Sequence, residues 1–261
     1  MTSMLTREET WKNLRDLGIV RGEMPSSAWD LRKANLSGAD LKGFDLSGAN
    51  LEETNLSEAF LTETNLGSAY LVDAILDGAD LGSANLSGAN LEGASLIEAK
   101  LDKADLTGAF LNTAYLNNAS FRQSNLSKTA ITDADISGAD MTEADLSSAD
   151  LSESNLFSAK FHRANLSKAN LHKTNSEETD FSHSNLSEAD ISDAYFTKAN
   201  LSGADLTNAR LNSSEFIGVN LSGANLNGAQ IPGTDFCNAD FSGANLSNTD
   251  FSVADTEGAV F

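Results

Sequence analysis

The stretch LRKANLSGADLKGFDLSGAN, residues 31–50, contains four copies of a five-residue unit and sets the register for most of the chain. Stepping by five from Leu31 leads to Phe261 without a slip, and 45 of these 47 positions hold Leu, Ile, Met or Phe. Two residues before each of them, 44 of 46 positions hold Ala, Ser or Thr. The exceptions are Ser176, Thr256, Phe44 and Val219. Such an array predicts a repeat architecture rather than an ordinary globular core.

A period of five matches neither the 3.6 of a helix nor the 2 of a strand, so each unit must combine a short strand with a corner. If the small residue, the following residue and the Leu form the strand, the first and third face inward and the second faces outward. Of 19 glycines, 15 occupy the second residue after the Leu-type position, where a turn needs positive φ. The segment IPGT, residues 231–234, places Pro232 and Gly233 at the centre of a type II turn.

The phenylalanines indicate how many units close one coil. On a wheel of twenty residues, eight of the nine that occupy Leu-type positions fall on two faces: Phe121, Phe161, Phe181, Phe241 and Phe261 on one, and Phe196, Phe216 and Phe236 on the other. A third face is leucine at all eleven positions from Leu46 to Leu246. We therefore predict four pentapeptides per coil, and about 11 to 12 coils spanning about 55 Å at roughly 4.8 Å per rung.

The units ADLSS, ANLSG and ANLSK resemble those of the pentapeptide-repeat family, in which Ala, Asp or Asn, and Leu are followed by two variable residues. The resemblance covers residues 31–261. It implies an all-β fold, a right-handed quadrilateral parallel β-helix or β-solenoid. It does not imply catalysis, because known members are mostly binding or scaffold proteins.

The N-terminal segment differs from the array. In TREETWKNLRDLG, residues 6–18, Thr6 and Glu9 have capping-box spacing and Leu14 and Leu17 share one face, which predicts a helix over residues 7–17. We interpret it as a cap on the first coil, with an amphipathic partner helix as the alternative. The expected organisation is a helical cap and leader at residues 1–24 and a pentapeptide-repeat β-solenoid at residues 25–261.

The chain is strongly acidic, with 38 Asp and Glu against 17 Lys and Arg and a net charge of -21. This charge should repel nucleic acid and membrane surfaces and attract a basic protein surface. No run of 18 apolar residues occurs, so we expect neither a signal peptide nor a membrane span. The single cysteine, Cys237, fits a reducing cytoplasm, which is the expected location.

Catalytic chemistry is not indicated by the sequence. His162 and His183 fall on one edge in adjacent coils, but no third metal ligand accompanies them. Cys237 lies on a corner, where an inert thiol is expected. The glycines are spaced by five as turn residues and form no phosphate-binding loop. We therefore predict no catalytic, cofactor-binding or metal-binding residues, no cofactor, and no enzyme activity.

Surface variation is more informative. Large apolar residues interrupt the outward positions, and the candidate interaction surface comprises Phe60, Tyr70, Ile75, Phe110 and Tyr115. One corner of the predicted coil forms a candidate acidic edge of Glu52, Glu53, Asp73, Glu92, Asp133, Glu153 and Asp193. The opposite corner is basic, with Lys42, Lys103, Arg122, His162, Arg163 and His183.

We expect the C-terminal end of the array to be open. The candidate dimer end comprises Phe251, Val253, Val260 and Phe261, and we expect a homodimer through this end because open sheet edges attract other edges. Ser176 is interpreted as a fault in a leucine column, so Ser176→Leu is predicted to raise the melting temperature. The basic residues near it form an incomplete collar around a single coil.

Two functions remain open at this point. The first is a non-catalytic acidic rod that serves as a protein-interaction or scaffold module. The second follows from family members that resemble B-form DNA in width and charge and bind type II topoisomerases such as gyrase, which confers quinolone or toxin resistance. The rod shape and the acidity suit such a DNA mimic, whereas the basic edge, the N-terminal cap and the lack of inserted loops count against it.

Overall fold

The computed structural model describes residues 7–16 and 29–261. The first range is one α-helix, α1, Arg7–Asp16. The second is a continuous series of turns and single-residue β-bridges, with one 3-10 turn at Phe251–Val253. The predicted helix is present over its described part, while Leu17, the rest of residues 1–24, and residues 25–28 of the predicted solenoid lie outside the described residues.

The β-bridges show how many residues form one coil. Every one is parallel and joins residues twenty positions apart, from Asp30 with Asn50 to Asp240 with Val260. Each pentapeptide contributes one bridge residue and one turn, so one coil contains four pentapeptides and has four corners. The backbone ladder is close, with Leu31 N donating to Asn50 O at 2.8 Å. We call residues that succeed one another at intervals of twenty a column.

The corners are β-turns with positive φ at their third residue. At 45 of the 46 such positions between residues 33 and 258, φ lies between 53° and 72°. Most of these residues are not glycine, and the left-handed conformation costs each of them roughly 1–2 kcal/mol. Their N–H groups bond to the next coil, as Lys33 N does to Glu52 O at 3.0 Å. At the IPGT corner Gly233 has a φ of 71° and Thr234 N donates to Ile231 O at 3.2 Å, which confirms the predicted type II turn.

The core lies along the axis of the coil. From Leu41 to Phe241 the Leu-type side chains and the small residues two positions before them are buried, including Phe44 and Val219. Leu14 of α1 is fully buried and belongs to the same hydrophobic cluster. Burial of one Leu or Phe contributes roughly 1.5–3 kcal/mol, and because each coil packs only on its neighbours, the stacking stabilises the array.

Serine and threonine replace alanine inside the coil because their hydroxyl groups find backbone acceptors. Thr54 Oγ1 donates to Leu31 O of the preceding coil at 2.8 Å, and Ser124 Oγ donates to Phe121 O within its own turn at 2.6 Å. A buried hydroxyl without a partner would cost roughly 1–3 kcal/mol. The small columns therefore accept three residue types at little cost.

The array becomes irregular in its last coil. Among the third turn residues from 33 to 258, Val253 is the one that lacks positive φ. Its branched β-carbon disfavours that conformation. The turn tightens instead into the 3-10 segment Phe251–Val253, with Asp250 as its N-cap. Within residues 29–261, the column bridge between Gln230 and Asp250 is missing at this point.

Candidate interaction surfaces

The five predicted apolar side chains are exposed, from 41% for Ile75 to 57% for Tyr70. Tyr70 and Phe110 occupy one column, two coils apart, and Ile75 and Tyr115 occupy the next column around the coil. The structure therefore brings four of the five residues together on two adjacent faces.

Phe60 does not join them. It lies in the column of Asp40 and Asp80, which is two corners away from the column of Tyr70. In a coil with four corners this places Phe60 on the side opposite Tyr70 and Phe110.

The acidic edge is the corner between the two faces that carry the apolar group. Two of its members have cationic neighbours, since Glu53 Oε1 lies 3.2 Å from Lys33 Nζ and Glu153 Oε1 lies 3.9 Å from Lys173 Nζ. Asp193 Oδ2 lies 3.6 Å from His172 Nδ1. These pairs are exposed and contribute little to stability. They partly neutralise both ends of the edge, and the stretch around Asp73, Glu92 and Asp133 stays negative.

The opposite corner is mixed rather than purely basic. Arg122 Nη1 lies 2.9 Å from Asp140 Oδ2, and Lys42 Nζ lies 3.6 Å from Glu63 Oε1. The imidazoles of His162 and His183 meet edge to face with centroids 5.7 Å apart. The charge of this corner is therefore compensated locally at Lys42 and at Arg122.

A face of Asp and Asn borders the basic corner on one side. It runs from Asp45 to Asn245 in one column, and no Asp follows another Asp directly. Asn65 Nδ2 donates to Asp45 Oδ1 at 2.9 Å, and Asn85 Nδ2 donates to Asn65 Oδ1 at 2.8 Å. An amide above each carboxylate avoids the repulsion of stacked charges, which explains the order of residues on this face.

The C-terminal end is largely exposed. Phe261 is 63% exposed, and Val253 and Val260 are about half exposed. Phe251 lies further inside and meets the rings of Phe241 and Phe261 edge to face at 5.4 and 5.7 Å. Three of the four residues of the predicted dimer end are thus exposed to solvent.

The pair of His172 and Ser192 does not have the geometry of a catalytic set. His172 Nδ1 lies 3.0 Å from Ser192 Oγ, but that hydroxyl donates its single proton to Asp190 Oδ1 at 2.6 Å. The hydroxyl therefore accepts from the imidazole, whereas a nucleophilic serine must donate to it. Ser192 is also buried, which keeps it from a substrate.

The sequence did not indicate one cluster of side chains of the kinds that bind metal ions. Ligand atoms of Asp235, Cys237 and Asp255 lie within 4.8 Å of one another. A hydrogen bond to Asp235, burial, and the negative charges of Asp235 and Asp255 raise the pKa of Cys237 to about 11. The thiol is therefore protonated at neutral pH, in agreement with the expected inert cysteine.

The sequence reasoning also missed Phe157, which is exposed at a corner. It stands directly after a Leu-type position, where small polar residues prevail. A large apolar residue at this corner position is the sequence signal that would have identified it.

The comparisons with known proteins identify the family. A family model described as pentapeptide repeats matches in eight copies, over residues 30–71, 74–112, 111–143, 134–172, 177–212 and 214–255. The chain belongs to the pentapeptide-repeat family. No curated protein matches the sequence. No helix of the described residues is both long and apolar enough to cross a membrane.

Solved structures of pentapeptide-repeat proteins are similar to this chain. HetL, a pentapeptide repeat protein involved in heterocyst differentiation regulation from the cyanobacterium Nostoc sp. strain PCC 7120, is 30% identical, with 98% of this chain and 96% of HetL covered and a TM-score of 0.58. Full-length QnrB1, a plasmid-mediated fluoroquinolone resistance protein, is 18% identical, with 72% and 84% covered and a TM-score of 0.37. Rfr23 from the cyanobacterium Cyanothece 51142 is 27% identical, with 44% and 63% covered and a TM-score of 0.24.

Proposed function

We propose that this protein is a non-catalytic interaction module of the pentapeptide-repeat family that presents one acidic and aromatic side of a stiff rod to a basic protein surface in the cytoplasm. The observation that carries the proposal is the placement of Tyr70, Phe110, Ile75 and Tyr115 on two adjacent faces beside the acidic edge. Exposed apolar side chains that lie near one another are characteristic of protein interfaces.

A regulatory role agrees with this proposal. HetL, which aligns over almost the whole chain, is involved in heterocyst differentiation regulation. A protein that acts by binding needs a rigid surface and no reactive group. The Ser192 hydroxyl is buried and donates to Asp190, so it is not available as a nucleophile.

The experiment is an affinity capture from a cell extract with the immobilised chain. Specific partners should be retained by the unaltered protein and by Tyr195→Ser, a matched control because Tyr195 is exposed in the column of Tyr115 but four coils away. The double variant Phe110→Ser, Tyr115→Ser should lose them. Retention of every specific partner by the double variant would remove this surface as the interface.

The alternative function is DNA mimicry directed at a type II topoisomerase. The net charge of -21 and the unpaired middle of the acidic edge favour it, whereas the ion pairs at Glu53 and Glu153 work against a continuous DNA-like charge. A gyrase supercoiling assay with and without a quinolone tests it. Inhibition that disappears at high salt would support mimicry, and no inhibition or protection at micromolar protein would exclude it.

Two further parts of the proposal concern the ends of the rod. We infer that α1 caps the first coil through Leu14, which is buried in the common core. We also infer that the exposed end at Val260 and Phe261 pairs with a second copy of the chain, since an open coil presents unpaired backbone groups and apolar surface.

A further inference from the structure

The candidate interaction surface and the acidic edge form one continuous surface. Two coils each bear an apolar side chain on both sides of the acidic corner. Tyr70 and Ile75 belong to one coil, and Phe110 and Tyr115 belong to the coil two rungs above it. We call each pair an apolar rib.

The coil between the ribs has small polar residues at the matching positions, Asn90 and Ser95. Both are held by hydrogen bonds, since Asn90 Oδ1 accepts from Glu92 N at 3.0 Å and Ser95 Oγ donates to Asp77 Oδ1 at 2.5 Å. The ribs lie about 9.6 Å apart, two rungs of about 4.8 Å each. Apolar side chains therefore flank a polar strip that crosses the rod, and we call this arrangement the groove.

Two carboxylates lie at this groove where it crosses the corner. Glu92 is exposed in the polar strip, and the carboxylate of Asp73 lies over Gly93, so that a β-carbon at position 93 would collide with it. None of the ion pairs formed among residues 29–261 includes Asp73 or Glu92. The groove therefore has negative charge that the described part of the chain does not neutralise.

The absence of cations extends beyond the groove. Along this corner and the outward positions of the two faces that flank it, no Lys, Arg or His occurs between Lys33 and His172. The partner, rather than this chain, must supply the positive charge.

We propose that this groove binds an extended, arginine-bearing segment of a partner protein. A guanidinium group stacks on aromatic rings and forms bidentate hydrogen bonds with carboxylates, and the ribs and the corner offer both. An α-helix with its side chains is about 10–12 Å wide, broader than the spacing between the ribs, whereas an extended chain fits between them. The inference rests on the proposed interaction function and names the chemistry of its partner.

The test uses the full chain and a fluorescein-labelled peptide, Gly-Arg-Ala-Arg-Ala-Arg-Gly, in a fluorescence anisotropy titration at physiological salt. The same peptide with lysine in place of arginine should bind several-fold more weakly. Tyr70→Ser with Phe110→Ser, and separately Asp73→Asn with Glu92→Gln, should each weaken binding about tenfold, as expected when a stacked or paired contact is removed. Their melting temperatures should equal that of the parent, because these side chains lie at the surface.

Matched controls lie elsewhere on the rod. Phe60→Ser removes an exposed ring on the opposite side, and Glu143→Gln with Glu188→Gln removes two charges at other corners. Equal binding of the arginine and lysine peptides, or equal weakening by the control variants, would show general charge attraction. Either result would overturn the proposal that the groove binds an arginine-bearing segment. Absence of peptide binding would also overturn it, while partner capture that depends on Phe110 and Tyr115 would leave the interaction function standing.

Discussion

The ring of Phe181 stacks on that of Phe161 at a centroid distance of 4.9 Å and an angle of 13°, and on its other side it lies 5.3 Å from Phe196. Phe196 stands directly above Ser176 in the neighbouring column. Phe181 therefore contacts the column of Ser176 at the coil above that residue. The second polar exception, Thr256, occupies the column beside Phe241 and Phe261, whose rings stack at 5.1 Å and 9°.

Ser176 is therefore better explained as compensation for a large neighbour than as a fault. It is fully buried, and its hydroxyl donates to Thr174 Oγ1 at 3.2 Å, so the predicted need for a partner is met. This interpretation predicts the opposite effect from the one expected from the sequence. We expect Ser176→Leu to lower the melting temperature, because overpacking a filled core costs about 1–3 kcal/mol.

A double variant checks the cause of this effect. Ser176→Leu with Phe181→Leu should recover most of the lost stability in thermal denaturation followed by circular dichroism, because the smaller ring returns volume to the coil. A higher melting temperature for Ser176→Leu alone would show that the space beside Ser176 is empty after all.

Asn112 and Asn212 occupy the same column and differ in their partners. Asn112 Oδ1 accepts from Thr132 N of the next coil at 3.2 Å, whereas the residue above Asn212 is Pro232, which has no N–H. Among the described residues, Asn212 Oδ1 is the buried side-chain polar atom left without a partner.

We expect Asn112→Ala to cost about 1 kcal/mol, which lowers the melting temperature by roughly 2–4 °C. Asn212→Ala should change it less, because no hydrogen bond to the next coil is lost. Thermal denaturation of the two variants side by side measures the difference, and equal losses would contradict the explanation.

Cys237 should react slowly with iodoacetamide. A hydrogen bond to Asp235, burial, and the charges of Asp235 and Asp255 raise its pKa to about 11, so the thiolate is scarce at pH 8. The alkylation rate should rise with pH up to that value, and Asp255→Asn should accelerate it at pH 8. Asp250→Asn, an exposed change in the same coil, serves as the control and should leave the rate unchanged.

The inferred dimer depends on the exposed C-terminal end. Sedimentation at micromolar concentration should show a dimer for the parent and a monomer for Phe261→Asp, because a buried charge without a partner opposes association. Phe157→Asp, which changes an exposed ring on the side of the rod, should remain dimeric. A monomeric parent, or a Phe261→Asp variant that stays dimeric, would refute this interface.

The capping role of α1 is tested at Leu14. Leu14→Ala should lower the melting temperature, since loss of a buried leucine costs about 2–5 kcal/mol. Lys12→Ala, on the exposed side of the same helix, should have little effect. If both variants melt like the parent, α1 does not stabilise the first coil.

Much of this architecture follows from local rules. The spacing from Leu31 onward predicts which side chains face inward, where the chain turns, and that residues twenty apart stack, because strand alternation and turn geometry depend on neighbours in the sequence. The bridges from Asp30 with Asn50 onward confirm this order. The candidate surfaces follow from the same wheel, which places Phe60 on the side opposite Tyr70.

The sequence by itself determined the period, the four-cornered coil and the acidity of the surface. The tertiary structure decided how side chains of successive coils meet: Phe181 crossing between columns, Asp73 lying over Gly93, Ser192 bonded to Asp190 rather than activated by His172, and Val253 tightening its turn. These contacts depend on rotamers and on the residue one coil away. Because each position of the repeat accepts several residue types, the repeat pattern does not specify these contacts.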